Sequence, residues 1–527
     1  MKMSLRQICG CGLVALTLLH PCSAAPAETA RLDASRVDAK DTPSIDSALM
    51  VLTPGNFAQL IVRKNVEVAS SKLAIQISQK LRDGEEALYE PVATTGIRHE
   101  RRTRLNTVEE QILRSELPIL NEEVYSAGLG LKMAVPSGGN VKLNYQVEGR
   151  KNNVIALQSK GLFGSEFTGS LGLTFEQPLW RGAGRGVTET PLELAEFDYL
   201  IAREKFSLQV YKSVTNALDT YWQLYRWQRI EALRKESLDQ SQRLLEASRQ
   251  RIEAGRAASS NQLEVQSVVL ARHIEYLRAQ QSVLDATSNV MSLLGMNRIS
   301  EGRFKLIPEI EISDAFVQRT ERQDEVDEVL SKKWPTLRIA DLERRQANLK
   351  SAYFANQSKP QVNLLLNYQS TGFAFERNSV NPLIAKANYP DWFIGVNVEL
   401  PLGGNRKAKS LYLAQEDRLT QLAVEMEGLK INHANEYFAT REQLLAGTQI
   451  VNQSRADVRL REQLVANDLA RFKLGNLTFA ALAQKEGELL DAQVRAIDNE
   501  ARLEYSKLLF LYYRDVALEA YNIHLDN

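Results

Sequence analysis

The side chains of this chain that could do chemistry are few and scattered. Five histidines stand at positions 20, 99, 273, 433 and 524, and none joins a His, Asp and Glu cluster with metal-ligand spacing. All three cysteines, Cys9, Cys11 and Cys22, lie near the start of the chain. Gly182, Gly184 and Gly186 follow a strand pattern and open a helical one, as a dinucleotide-binding loop does. The third glycine of that loop is missing at its required spacing and no βαβ unit follows, so the stretch reads as a flexible strand-to-helix exit. Tyr221, Trp222, Tyr225 and Trp227 could line a ligand site, yet aromatics so spaced on a long helix read as inter-helix packing. The residues therefore support neither an enzyme nor a metal centre nor a bound cofactor.

Bulk properties narrow the class further. With 65 basic and 65 acidic side chains in 527 residues, no net field draws nucleic acid, and the charges read as a solvated surface. Hydrophobic residues make up 44% and aromatics 7%, which suits helices packed through aliphatic rows better than several compact enzyme cores. Lys2 and Arg6, the apolar run from Leu13 to Leu19, and the small residues at Ala24, Ala25 and Ala27 mark a secretory signal peptide, residues 1–24, cut after Ala24 or Ala27. His20 and Pro21 precede Cys22 where a lipoprotein signal carries small residues, so ordinary cleavage is expected and the mature chain then has no thiol. No later stretch has 18 consecutive apolar residues, so entry into a membrane requires a closed barrel.

The elements behind these residues come twice. Two-residue alternation runs through Val141, Leu143, Tyr145 and Val147, through Phe167, Leu171, Leu173 and Phe175, through Val362, Leu364, Leu366 and Tyr368, and through Trp392, Ile394, Val396, Val398 and Leu400. These predict strands at about 139–148, 167–177, 361–370 and 392–401, long enough to cross an outer membrane at a tilt. A soluble sheet with one wet face gives the same alternation; the signal peptide and the Gly, Asn and aromatic content favour the barrel. Each strand pair passes Pro178 or Pro401 into a long helical stretch broken at Gly255 or Gly475, 77 and 74 residues further on. Long helices are expected over about 187–254 and 405–473, each on the order of 100 Å if unbroken, with returning helices over 258–294 and 478–513. Val210, Val214, Leu218, Tyr221 and Tyr225, and then Leu422, Met426 and Leu429, step by three and four as a coiled-coil seam does. The returning seams run through Leu263, Val269, Leu277, Leu284 and Met291, and through Leu482, Leu489, Val494, Ile497, Leu503 and Leu508.

The chain thus divides into the signal peptide, a flexible lead-in 25–48, a first repeat 49–300, an irregular belt segment 301–325, a second repeat 326–515 and a tail 516–527. Residues 92–136 have no counterpart in the second half. There the basic patch from His99 to Arg104 reads as an exposed loop, followed by a short helix within 107–117 and a strand through Leu129, Leu131, Met133 and Val135. Four strands cannot close a barrel, for which about eight is the practical minimum, so neighbouring chains must complete it.

With these parts assembled, the sequence resembles the TolC family of outer-membrane factors. The resemblance rests on Leu52 to Leu60 with Asn65, the strand exits at Glu176 to Leu179 and Glu399 to Leu402, and Lys359 to Tyr368. It rests also on the hairpin tips Arg251 to Gly255 and Arg471 to Gly475, and on Ser292 to Gly295. It implies a mixed fold, an α-helical coiled-coil barrel joined to a transmembrane β-barrel: a homotrimer with twelve strands in outer-membrane lipid and an α-helical tunnel through the periplasm of a Gram-negative bacterium. It also implies partners, a periplasmic adaptor protein and an inner-membrane efflux or type I secretion transporter. Arg251, Gly255, Ser259, Arg471, Gly475 and Thr478 become candidate adaptor contacts, although the glycines also permit tight turns and Ser259 or Thr478 also caps the next helix. The positions of the family's charged pore latch are occupied here by Asn261, Phe472, Leu477, Ala481 and Gln484, so that latch is absent. Glu488 and Asp491 continue the same inward helix face, and either form acidic rings that favour cations or are exposed helix carboxylates. The competing reading is a periplasmic coiled-coil adaptor or scaffold without its own channel.

Overall fold

The computed structural model describes residues 50–114, 116–158, 164–253, 260–296, 304–306, 334–474 and 476–525. The signal peptide, the lead-in, all of the belt segment but 304–306, and the tip residues Gly255, Ser259 and Gly475 lie outside them. The first half runs β1 (Met50–Leu52), α1 (Pro54–Lys64), α2 (Val66–Glu85), β2 (Val92–Leu105), α3 (Val108–Leu113), β3 (Ile119–Ala134) and β4 (Asn140–Asn152). It continues with α4 (Asn153–Gln158), β5 (Glu166–Pro178), α5 (Arg185–Thr188), α6 (Thr190–Glu253), α7 (Ser260–Leu293) and β6 (Phe304–Leu306), which pairs with β1. The second half runs α8 (Pro335–Gln357), β7 (Gln361–Ala374), α9 (Val380–Lys386), β8 (Pro390–Glu399), α10 (Arg406–Lys473), α11 (Phe479–Tyr513) and α12 (Ala517–Ala520).

The motif from Leu52 to Asn65 is a joint. The Thr53 hydroxyl accepts a hydrogen bond from the Asn56 amide at 3.3 Å and Pro54 occupies the first turn, so α1 starts where a cap and a fixed φ both favour it. Asn65 accepts from the amides of Glu67 and Val68 at 2.9 and 3.2 Å to begin α2, and its Nδ2 donates to the Leu293 carbonyl at 3.2 Å. One buried side chain thereby caps one helix and ties it to the end of α7. Phe57, Ala58 and Ile61 bury fully against α6, and the Tyr221 hydroxyl donates to the Leu52 carbonyl at 3.2 Å. The aromatic cluster is packing, as its spacing indicated: Tyr221 and Trp222 are buried and meet edge to face at 5.4 Å.

The seam along α6 is as expected, with Val210, Val214, Leu218 and Tyr221 buried; α2, α7, α8 and α11 all pack on this helix. Ala58, Val68, Val210, Val214, Leu508 and Leu511 gather in one core with Ala517, Leu518 and Ile523 from the C-terminal tail. The seam of α11 also holds, through Leu482, Ile497, Leu503 and Leu508. The seam of α7 holds at its end, where Met291 is buried, but not along its leucines. Leu263, Leu277 and Leu284 are exposed, whereas Val265, Ala279, Ala286 and Val290 are buried, so the smaller side chains meet the neighbouring helices and the leucine row faces outward.

Strand number also departs from expectation. The principal sheet has six strands in the order β2-β3-β4-β5-β7-β8, all antiparallel, not four. The additional hairpin is β2 and β3; the strand expected through Leu129, Leu131 and Met133 is the second half of β3, whereas the basic patch from His99 to Arg104 is strand rather than loop. Charge density misled the reading because the compensating charges lie on the partner strand: Arg101 is opposite Glu123 and Arg102 opposite Glu122, at 3.8 and 3.9 Å. The other strands extend past the expected loop boundaries, to Asn152 in β4 and Ala374 in β7.

Candidate functional site: a two-faced sheet and two helical hairpins

The sheet has one apolar and one polar face. Because side chains alternate, the register puts Leu129 and Leu131 of β3, Leu143 and Tyr145 of β4, Leu171 and Leu173 of β5, Leu366 and Tyr368 of β7, and Trp392 and Ile394 of β8 on one side. The opposite face carries Lys142, Asn144, Gln146, Thr174, Asn367 and Asn397. Near the end remote from the helices it also carries an ionic cluster, in which Arg150 lies 3.5 Å from Glu122, 3.1 Å from Glu148 and 3.9 Å from Glu166. The apolar face is largely exposed in the single chain; α9 covers part of it, seating Val380 and Ile384 over Gly169 and Gly372.

At the helix-proximal end, β3 and β4 are joined by a tight turn in which Gly138 has φ +91°. A Cβ there would meet the Gly182 carbonyl at 2.3 Å, so only glycine lets this turn approach the strand exit. Gly182 and Gly184 adopt φ +80° and +95°, and their amides donate to Asn356 Oδ1 and the Ser137 carbonyl at 2.8 and 2.9 Å. The glycine-rich stretch is thus a fixed strand-to-helix turn and its glycines serve backbone geometry.

The long helices form two antiparallel hairpins, α6 with α7 and α10 with α11, which meet mainly along α6 and α11. Arg226 of α6 pairs with Asp498 of α11 at 2.5 Å. Nearer the tips, Arg234 of α6 and Arg272 of α7 share Glu275 at 2.5 and 3.4 Å. Arg272 also reaches across to α11, where its guanidinium would lie 3.2 Å from a Cβ built on Gly487. Burial pushes the neighbouring Glu486 carboxyl above its ordinary range, an effect the Arg272 charge partly offsets. Below this network a 690 Å³ groove opens between α7 and α11, lined by Leu263, Ser267, Val268, Phe479, Ala480 and Ala483.

The candidate residues fall around these tips. Arg251 and Asn261 belong to the last turn of α6 and the first of α7; their side chains are outside the description. Arg471 lies in the last turn of α10, 3.3 Å from Asp468, and Phe472 and Leu477 are half-buried. The Thr478 hydroxyl accepts from the Ala481 amide at 3.4 Å and so caps α11. Gln484 is exposed and donates to Glu488 at 3.2 Å. Lys485 hydrogen-bonds Glu488 and, with Gln484 and the nearby Arg461, holds its carboxyl below the ordinary range; the ion-pair distances are 3.1 Å to Lys485 and 3.4 Å to Arg461. Asp491 is exposed one turn further on. The two carboxylates paired in the sequence reading therefore differ, one neutralised within its own chain and the other open to solvent. The inter-hairpin network of Arg234, Glu275, Arg272 and Glu486 escaped the sequence, because its members are spread over three helices.

Two sets of exposed apolar residues stand seven apart. Leu263, Leu270, Leu277 and Leu284 line α7, and Val424, Ile431, Phe438 and Leu445 line α10. Such rows have the seven-residue spacing of the a or d positions of a coiled coil.

The architecture is therefore a six-stranded antiparallel sheet with one apolar face, carried on paired helices of about 100 Å. Residues 140–296, which hold β4, β5, α6 and α7, match the family described as outer membrane efflux protein. The fold as a whole is similar to that of CusC, described in terms of folding and transmembrane channel formation, with a TM-score of 0.63 and 12% identity over 88% of this chain and 91% of that one. A membrane protein from Pseudomonas aeruginosa aligns with TM-score 0.63 and 14% identity over 88% and 93%. The outer membrane protein VceC from Vibrio cholerae aligns with TM-score 0.62 and 14% identity over 88% and 95%. No curated protein sequence matches the chain. The resemblance to the TolC family is thus borne out by the fold, and in 140–296 by the sequence as well.

Proposed function

We propose that the chain is one protomer of a trimeric exit channel in the outer membrane, opened when a periplasmic adaptor and an inner-membrane efflux or secretion transporter engage its helical tips. The observation that carries this reading is the set of surfaces left uncovered among the described residues: two sheet edges, most of one apolar sheet face and two heptad rows on long helices. Lipid covers the apolar face, and further copies of the chain cover the rows and edges, because unpaired backbone groups cannot remain in hydrocarbon. Among the described residues no helix is long and apolar enough to cross a membrane. A free-standing periplasmic scaffold would leave the apolar face in water. Heat-modifiable trimers from the outer-membrane fraction, conducting in planar bilayers, are the expected result; a soluble periplasmic monomer without conductance overturns the reading.

The tips carry the docking and gating roles. Arg251, Gly255, Ser259, Arg471, Gly475 and Thr478 meet the adaptor, and Gly475→Asp is expected to abolish adaptor pull-down while trimers persist. The pore-facing positions are Asn261, Phe472, Leu477, Gln484, Glu488 and Asp491. With Glu488 paired by Lys485 and Arg461, Asp491 is the residue that gives the narrow end its cation preference.

A further inference from the structure

β4 is hydrogen-bonded on both sides, to β3 through thirteen residue pairs from Glu122↔Asn152 to Ala134↔Asn140, and to β5. It therefore offers no edge to a neighbouring chain. Among the described residues, the strands with one side unpaired are β2 and β8. Resting on the channel reading above, we propose that β2 of each copy receives β8 of the next, so that three copies close an eighteen-stranded wall in which residues 92–134 are a structural part.

Strand stagger shows that β2 and β3 belong to the same wall as the other four strands. The row through Val92 crosses Lys132, Lys142, Thr174, Asn367 and Phe393; β2 begins at that row, while β8 runs six residues past it, from Phe393 to Glu399. Six residues over five strand steps, at about 3.3 Å per residue and about 4.8 Å between strands, correspond to a tilt of roughly 40°, the value a closed barrel requires. The stagger is continuous from β2 onward, as in one curved sheet rather than a barrel with an appended hairpin.

The two free edges also fit each other. β2 leaves the helix-proximal end and β8 returns to it, so they meet antiparallel, as every other pair does. The alternation must keep Ala93, Thr95 and Ile97 on the apolar side with Ile394, Val396 and Val398. In the register Arg98↔Phe393 both conditions hold, and the uncharged run Val92 to Ile97 lies opposite Ile394 to Glu399. The arginines of β2 sit further out, at 98, 101, 102 and 104, at and beyond the end of that run. An uncharged edge next to the helices and a charged one beyond it is the pattern expected when only the first is paired. Since barrel diameter grows roughly linearly with strand number, the wall is about half again as wide as one built from four strands per chain.

Cysteine pairs decide the matter, because no cysteine follows Cys22. In full-length trimers purified from the outer membrane, Asn397→Cys is combined in turn with Val92→Cys, Thr94→Cys or Gly96→Cys on β2, and with Asn144→Cys on β4. Oxidation is expected to give covalent dimers and trimers with the β2 cysteines, most completely with Thr94→Cys, and none with Asn144→Cys. Cross-linking through Asn144→Cys, or conducting trimers that no β2 cysteine cross-links, overturns the proposal while leaving the channel reading intact. Failure to obtain conducting trimers at all removes both.

Discussion

The two halves of the chain repeat one plan, yet their long helices live in different surroundings. α6 is enclosed by α2, α7, α8 and α11, and its seam is buried from Val210 to Tyr221. Its counterpart α10 lies at the margin, covered by α8 and α11 on one side and carrying Val424, Ile431, Phe438 and Leu445 exposed on another. The strand pairs differ in the same sense: β5 is interior to the sheet, whereas β8 is an edge. Of the two duplicated long helices, the first is thus enclosed and the second keeps an exposed apolar row. The extra hairpin β2–β3 gives the first half a free sheet edge of its own among the described residues.

The largest effects should appear at the interior joint. Phe57→Ala removes a fully buried ring wedged between α1 and α6 and is expected to cost about 3–5 kcal/mol, read as loss of protease-resistant protomer at ordinary temperature. Adjacent residues of α10 then separate fold from assembly. Leu444 is 1% exposed and Leu445 38% exposed, so Leu444→Ala should destabilise the hairpin by about 2–5 kcal/mol, whereas Leu445→Asp should leave the hairpin folded and abolish heat-resistant trimers. Equal effects of the two would erase the contrast between the halves.

A pH effect of intermediate size is expected at His433. Burial lowers its pKa to about 4 from 6.5; it stacks on Trp334 at 4.5 Å, and its Nδ1 has no hydrogen-bond partner among the described residues. The native state holds the neutral ring and the unfolded chain takes up the proton. The contribution is therefore complete above about pH 6.5, declines as the pH falls towards 4, and amounts to roughly 3 kcal/mol. His433→Phe should flatten the loss of trimer stability between those values, as followed by circular dichroism. The smallest effect is at the pore end. Asp491→Asn should reduce cation selectivity of reconstituted trimers by a few-fold, and Glu488→Gln should change it less, because its charge is already balanced by Lys485. A reversal of that order would return the acidic ring to Glu488.

Much of this was legible in the residues. Strict alternation through Val141 to Val147 and Trp392 to Val398 marked strands, and the three- and four-residue steps through Val210 to Tyr221 marked a buried helix face, because period alone distinguishes the two. The pairing of Thr53 with Pro54 marked the start of α1. The β2 strand was hidden because its outer half is dominated by arginine, and its acidic partners Glu122 and Glu123 are about twenty residues away in the chain. The leucine row of α7 was assigned inward because hydrophobicity states that a face will be covered without stating by which partner.

The sequence by itself determined the period of the long helices and of the four alternating strands, and the duplication, since each follows from local spacing. Only the tertiary structure decided that the count is six, that β4 is enclosed while β2 and β8 are open, and that Glu488 is neutralised while Asp491 is not. Those outcomes depend on which segments distant in sequence are brought within hydrogen-bonding or ionic reach, and side-chain periodicity carries no information about that choice.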